Sequence, residues 1–538
     1  MLSSNRFLRG AMLLTGAALT SKILGSVYTI ILQNVIGDRG MGLFQMAYPI
    51  YATLLAVATA GFPVAISKLV SERVALQDVQ GAQQVLRAAA VLLLFGGVAA
   101  FCALFFAPTF WARIAGDPAA ADAIRAIAPA LLIVPVLSVW RGYYQGYQWM
   151  EPTAVSQVVE QLVRVVTIIG LTLWLMHAGY DMAMAAAGAA FGAVTGAFAG
   201  LLVLLYYRRR QSQNAQSQRR GRGDFWGWTK RLLYVAFPIS LGALVVPLMH
   251  NVDVVTVVNL LKRAGVAQTE ATTDFGLLSG RAYKLMMLPT TLAAGIGIAV
   301  MPAVSAAVAL GRSAQLANRV DTALRLTVLL SLPASVGLAL LAKSVDIALF
   351  ENVRGAGVIQ VMALAILFAS LQTVISAILQ GSGWMYAPVL YLVLAAMVKA
   401  TANMSWVPHF GIAGAAWSTV VSYVVATALN LWGLHRRFQA TIPWLRWFGA
   451  PLLAALIMAG FVFAMERQWE IWGGLYGNRL AAGLVSLGIV QVGVVIYGLA
   501  LLLTGAMTEV DLRSAPRVGN RVADWCIRFG FLRPNPAK

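Results

Sequence analysis

Apolar stretches of about twenty residues follow one another along the whole chain, separated by short connectors that carry most of its charge. A helix of that length crosses the roughly 30 Å of hydrocarbon in a bilayer. The short alternating strands of a membrane β-barrel are missing. The pattern therefore predicts an all-α polytopic membrane protein with about fourteen transmembrane helices. These begin near residues 10, 43, 86, 124, 153, 183, 232, 277, 322, 357, 387, 411, 446 and 480. The first stretch, Gly10 to Ile36, follows Arg6 and Arg9 as a signal peptide would, but it is too long and carries Lys22 at its centre. It reads as a retained first span.

The run of spans is doubled. Gln145-Gly146-Tyr147-Gln148-Trp149-Met150 recurs as Gln380-Gly381-Ser382-Gly383-Trp384-Met385, each copy followed by a proline, Pro152 or Pro388. The same offset carries Arg164 onto Lys399. Further on, Gly188-Ala-Ala-Phe191 matches Gly414-Ala-Ala-Trp417, and Arg208-Arg209 matches Arg436-Arg437. The phrase follows the fourth span and then the tenth, so the unit is six helices. An even number preserves orientation and makes the repeats parallel, as in transporters whose halves rock about a site between them. The expected organisation is a first six-helix bundle over 1–207, a basic cytoplasmic linker over 208–231, a second bundle over 232–437, two additional helices over 438–505 and a basic interfacial tail over 506–538.

Composition supports the membrane reading: 60% of residues are hydrophobic, 11% are charged and the mean hydropathy is +0.76, too little polar surface for a soluble globule. Cytoplasmic N- and C-termini put most of the 40 Lys and Arg residues in cytoplasmic segments. The net charge of +20 and the arginine-rich linker suit anionic membrane lipids better than nucleic acid, because basic cytoplasmic loops fix topology and gain about 1 kcal/mol per basic residue near the headgroups. In the tail, Val518, Val522, Trp525 and Phe529 share a helical stripe with Arg517, Arg521 and Arg528 around it. That is the pattern of an interfacial helix. Two cysteines and four histidines in no ligand pattern, and no phosphate-cradling Gly-Lys-Ser/Thr loop, give no metal site, no cofactor and no enzyme chemistry to expect.

Five basic residues lie inside apolar helices: Lys22, Arg164, Arg281, Lys284 and Lys399, opposed there by Glu160 and Asp253. Each charge costs roughly 3 kcal/mol at a helix centre on insertion scales, so the five must face water, counter-ions or a ligand. A surplus of positive charge in an inner cavity suits an anion such as a phosphate. Duller readings stand beside this one. Glu160 and Arg164 are four apart and can neutralise one another; Arg281 and Lys399 can snorkel from near a helix end. Asp253, beside His250 and Asn251, is the candidate counter-ion or ion-coupling carboxylate. Ala60-Gly61-Phe62-Pro63, Leu288-Pro289, Gly295-Ile-Gly297 and Met301-Pro302 are expected to bend their helices.

Four phrases carry a resemblance: Ser21-Lys22-Ile23-Leu24-Gly25; Gly37-Asp38-Arg39-Gly40-Met41-Gly42-Leu43-Phe44-Gln45; Gly61-Phe62-Pro63-Val64-Ala65-Ile66-Ser67-Lys68; and Arg141-Gly142-Tyr143-Tyr144-Gln145-Gly146-Tyr147-Gln148 through Pro152-Thr153-Ala154-Val155-Ser156-Gln157. They resemble the SpoVB/YtgP branch of the MurJ-like flippases, in the multidrug/oligosaccharidyl-lipid/polysaccharide (MOP) exporter superfamily. The resemblance implies a MATE/MurJ-like pair of six-helix bundles plus two helices that form a lipid-facing groove. It also implies a cytoplasmic-membrane flippase for a lipid-linked oligosaccharide, foremost the undecaprenyl-diphosphate peptidoglycan precursor lipid II, with the cell-envelope synthesis machinery as a further partner. A flippase for an O-antigen, capsule or sporulation-specific unit is the alternative, followed by a multidrug/cation antiporter. Lys22 stands where the family has a first-helix arginine, and Tyr28 where one branch has a second. On this reading Lys22, Arg281 and Lys284, with Arg164 and Lys399, attract the diphosphate.

Overall fold

The computed structural model describes residues 2–212, 225–438, 445–471, 479–505 and Asp524, which are almost wholly helical. No strand occurs among the described residues. The central part of the expected linker and nearly all of the expected interfacial tail lie outside them. Among the described residues, eleven helices are long and apolar enough to cross a membrane.

The helices form two compact units, Met1–Gly280 with Leu392–Ala415, and Arg281–Tyr391 with Ala416–Lys538. The first contains α1 (Leu2–Thr59), α2 (Phe62–Ala75), α3 (Val79–Phe105), two short helices α4 (Pro108–Ala115) and α5 (Ala121–Ile127), then α6 (Ala130–Gly146), α7 (Glu151–His177), α8 (Met182–Ser212), α9 (Phe225–Arg263) and α10 (Gln268–Gly276). A π-helical turn, Leu277–Ala282, leads into α11 (Tyr283–Ala309), followed by α12 (Ser313–Leu340), the short α13 (Ala342–Phe350), α14 (Ala356–Gly381), α15 (Ala387–Phe438), α16 (Ala450–Ile471) and α17 (Arg479–Leu503). Sequence repetition divides the chain at the linker, whereas packing groups α9, α10 and residues Leu392–Ala415 of α15 with the first unit.

Two of the long helices are kinked. The sequence pattern expects span boundaries between Ile36 and Leu43 and at residue 411; left-handed glycines interrupt α1 at Gly37 (φ 65°) and α15 at Gly411 (φ 59°). Glycine adopts this conformation without a Cβ penalty. Of the bends expected from glycine and proline, Gly61 separates α1 from α2, and its N–H donates to Ser240 Oγ at 3.0 Å. Pro289 and Pro302 lie within α11 without ending it.

The repeated Gln-Gly-x-x-Trp-Met phrase closes a helix identically in both units. In the first, Trp149 N–H donates to Tyr144 C=O (3.0 Å) and Gln148 N–H to Gln145 C=O (2.9 Å). In the second, Trp384 N–H donates to Leu379 C=O (3.0 Å) and Gly383 N–H to Gln380 C=O (3.0 Å). The equivalent residues Gln148 (φ 58°) and Gly383 (φ 91°) are both left-handed, which makes each turn a Schellman cap.

Each unit has its own apolar core. In the first, Ile66, Val70, Val85, Leu137, Tyr144 and Leu232 pack together. In the second, Leu324, Val328, Val374 and Ile378 pack with Met458 of α16 and Tyr497 of α17, so the two helices without repeat partners belong to that core. Their other faces remain exposed and apolar, as at Leu453, Phe461, Leu487 and Val494, which suits contact with lipid.

α7 and α8 approach most closely along four glycines spaced by four on α8, Gly188, Gly192, Gly196 and Gly200. Small residues at this spacing let helix backbones meet in a medium with no hydrophobic drive between helices. A Cβ on Gly196 would lie 2.7 Å from the Glu160 carbonyl and 2.8 Å from Arg164 Cβ. Gly196→Val should therefore cost about 1–3 kcal/mol of stability, read as a lower thermal unfolding midpoint of the purified protein. Gly170→Val, on an exposed face with nothing within 4 Å of its Cβ, should leave it unchanged.

Candidate functional site

The glycine seam sets the position of one buried polar cluster. Ser156, Glu160 and Arg164 recur every four residues on one face of α7, and Ser156 Oγ donates to the Gly200 carbonyl of α8 at 3.1 Å. Arg141 reaches in from α6: its Nη2 donates to Ser156 Oγ and to Glu160 Oε2, both at 2.8 Å. Arg164 Nη2 donates to the other carboxylate oxygen, Glu160 Oε1, at 2.5 Å. The three charged side chains are only 14–17% exposed.

Two guanidiniums share one carboxylate, so the cluster keeps a net charge of about +1 in a low-dielectric setting where charge interactions are strong. Arg164 Nε is buried and has no hydrogen-bond partner. The phenols of Tyr28, Tyr48 and Tyr51 of α1 lie within electrostatic reach of Arg164. Phenol hydroxyls and a guanidinium with a spare N–H form a donor set for an oxyanion.

The other cations expected at the site are held differently. Lys399 of α15 is fully buried and does not snorkel: its Nζ donates to Asp253 Oδ2 of α9 at 2.6 Å and to the Met249 carbonyl at 3.1 Å. Asn403, one turn on, donates to Asp253 Oδ1 (3.0 Å) and Thr256 Oγ1 (2.8 Å). Lys399 and Asp253 neutralise each other, so this cluster adds no positive surplus.

Arg281 does not snorkel either. It is 2% exposed and donates through Nη1 to Asp346 Oδ1 of α13 and to Asn352 Oδ1, both at 2.8 Å, with its guanidinium 4.6 Å from the Phe350 ring centre. Asp346 also accepts from Gly355 N–H at 2.7 Å, which ties the middle of α13 to the start of α14. The expectation that only Glu160 and Asp253 oppose the intramembrane cations is corrected here, because Asp346 balances Arg281. Arg281 sits in the π turn, where the α-helical i, i+3 relation to Lys284 does not apply. Lys284 is half-buried on α11. Lys22 lies in α1, and its side chain is outside the described residues.

Residues 7–308 match the family model described as polysaccharide biosynthesis protein. The chain belongs to that family. The chain is 31% identical over 511 residues to the uncharacterized membrane protein YabM of Bacillus subtilis (strain 168), covering 94% of each chain. It is also 31% identical over 443 residues to the lipid II flippase MurJ of the same organism, covering 79% of this chain and 81% of the relative. A solved structure of lipid II flippase MurJ in an inward closed conformation superimposes with a TM-score of 0.64 at 13% identity, over 90% of this chain and 98% of that one, and shares its fold. The family member is thus a multi-pass membrane protein, and the relatives with a stated activity are flippases rather than enzymes.

The sequence reading missed Arg141 and Asp346. Arg141 lies on the last turns of an apolar span, within one of the phrases that carry the family resemblance, and α7's approach to α6 brings it to Glu160. Asp346 sits on a nine-residue helix outside the long apolar runs. A signal was available for Arg141 alone, as a further basic residue inside a span.

The buried Lys399–Asp253 pair makes a direct prediction. Lys399→Met should destabilise the protein by about 3–5 kcal/mol, because it leaves a buried carboxylate uncompensated. Lys399→Met combined with Asp253→Asn should recover most of that loss, measured by thermal unfolding in detergent.

Proposed function

We propose that this chain is a flippase that carries a lipid-linked saccharide, foremost the undecaprenyl-diphosphate precursor lipid II, across the cytoplasmic membrane by alternating access, with both termini in the cytoplasm. The observation that carries the reading is the Arg141–Glu160–Arg164 cluster, a surplus of positive charge beside three phenols inside an apolar helical unit. A diphosphate is the kind of group that such a cluster attracts: two guanidiniums supply directional charge-assisted donors, and the low dielectric strengthens each contact. Kinship with a relative named lipid II flippase supports the same substrate class.

In this scheme Arg164, with its spare Nε–H, is the primary contact, and Arg141 both orients Glu160 and adds charge. Lys22, on α1, remains a candidate second contact for the diphosphate. Lys399 acts on the site by holding its helix against α9. A cation-exporting antiporter would need surplus carboxylate at such a cluster, and the sign of the charge here is opposite.

The test is replacement of the endogenous flippase in a depletable strain. The wild-type chain should restore growth and lipid II translocation. Arg164→Gln and Arg141→Gln should lower translocation about tenfold to a hundredfold, as expected when a charge-assisted hydrogen bond to the substrate is lost, while Asp253→Asn with Lys399→Met retains most of it. Equal translocation by the Arg164→Gln and Arg141→Gln proteins would place the diphosphate elsewhere. Accumulation of a different lipid-linked glycan on depletion would replace lipid II as the cargo.

A further inference from the structure

α1 and α7 lie side by side in parallel register. Ser21 Oγ donates to the Gln157 carbonyl at 3.5 Å, a Cβ on Gly25 would sit 3.4 Å from Gln161 Nε2, and Tyr28 interacts with Arg164. Rising residue numbers on one helix meet rising numbers on the other. Toward the start of both helices the seam opens into a recess of about 590 Å³, lined by Gly16, Ala17 and Thr20 of α1 and Ala154, Val155 and Val158 of α7, among others. Among the described residues, Thr20 is the only polar one in its lining.

The seam is therefore graded. An open apolar recess comes first, then the amides of Gln157 and Gln161, then Arg164 with its phenols. Two buried atoms at the polar end, Gln157 Oε1 and Arg164 Nε, have no hydrogen-bond partner. From Val158 to Arg164 is about 9 Å along α7. This order of surfaces complements a lipid whose anionic head lies at the depth of Arg164 and whose hydrocarbon begins directly beside it. A bilayer phospholipid keeps its charge at the headgroup level and fits the gradient less well.

We propose that the α1–α7 recess holds the first isoprenoid units of the substrate's polyprenyl chain while the diphosphate meets Arg164. The inference rests on the diphosphate reading of the Arg141–Glu160–Arg164 cluster. It places the head-proximal part of the chain in the first unit, on a surface separate from the exposed apolar faces of α16 and α17.

Three measurements on the full-length protein in nanodiscs test it. In the first, binding of geranyl diphosphate is compared with that of inorganic diphosphate. The wild-type protein should prefer the prenylated probe, and Val158→Trp, which fills the recess, should weaken geranyl diphosphate at least tenfold while leaving inorganic diphosphate unchanged. Gly16→Leu narrows the recess from the opposite wall and should act the same way, which covers the case in which the tryptophan variant fails to fold. Unchanged binding of both probes in both variants, or no preference in the wild type, overturns the recess and leaves the diphosphate reading standing.

In the second, Arg164→Gln should weaken both probes together. If it weakens neither, the diphosphate reading fails and takes the recess with it. In the third, a photoreactive benzoyl-phenylalanine at Val155 should be labelled by undecaprenyl diphosphate carrying an alkyne, against the excess phospholipid of the nanodisc. Labelling confined to the same photoreactive residue at Val494 of α17 would assign the chain to the last two helices instead.

Discussion

An ionised side chain in hydrocarbon has to meet an opposite charge, water or a ligand, and this chain handles its intramembrane cations in different ways. Lys399 is matched one to one with Asp253 and closed off from solvent. Arg281 is matched with Asp346 and given an amide and a ring as well. Arg164 and Arg141 share a single carboxylate, so that neutralisation is incomplete. A matched pair stabilises one arrangement of helices, whereas an under-matched cluster leaves attraction available to something not yet bound. The incompleteness at Glu160 separates a candidate site from internal bracing.

That cluster depends in turn on backbone proximity. Ser156 and Glu160 are held against α8 because Gly196 and Gly200 remove the side chains that would keep the two helices apart. Hydrocarbon solvates a leucine on the outside of the bundle as well as its interior does, so close van der Waals packing and internal hydrogen bonds carry the association.

Much of the architecture was legible because membrane solvation constrains sequence strongly. Apolar run lengths gave the helices, and the boundaries expected near Ile36 and at residue 411 coincide with Gly37 and Gly411. The Glu160–Arg164 contact followed from its spacing of four. The partners of Lys399 and Arg281 were harder to read, since Asp253 and Asp346 lie far away in sequence and pairing at that range is decided by which helices become neighbours. Asp346 also sits on a short helix that hydropathy passes over. The four evenly spaced glycines of α8 were visible as a pattern, but nothing in the linear order says that α7 is what they face.

The matched Schellman caps carry a lesson about duplication. Gln148 and Gly383 occupy the same position in the two halves and the same left-handed conformation, yet one has a side chain and the other has none. A glutamine pays a steric penalty there that a glycine avoids. What the two copies have kept is the pair of bonds from the backbone N–H groups to carbonyls left open at the helix end. The repeat thus keeps its backbone hydrogen bonds at a position where the side chain differs, so the closing of the helix does not depend on which residue stands there.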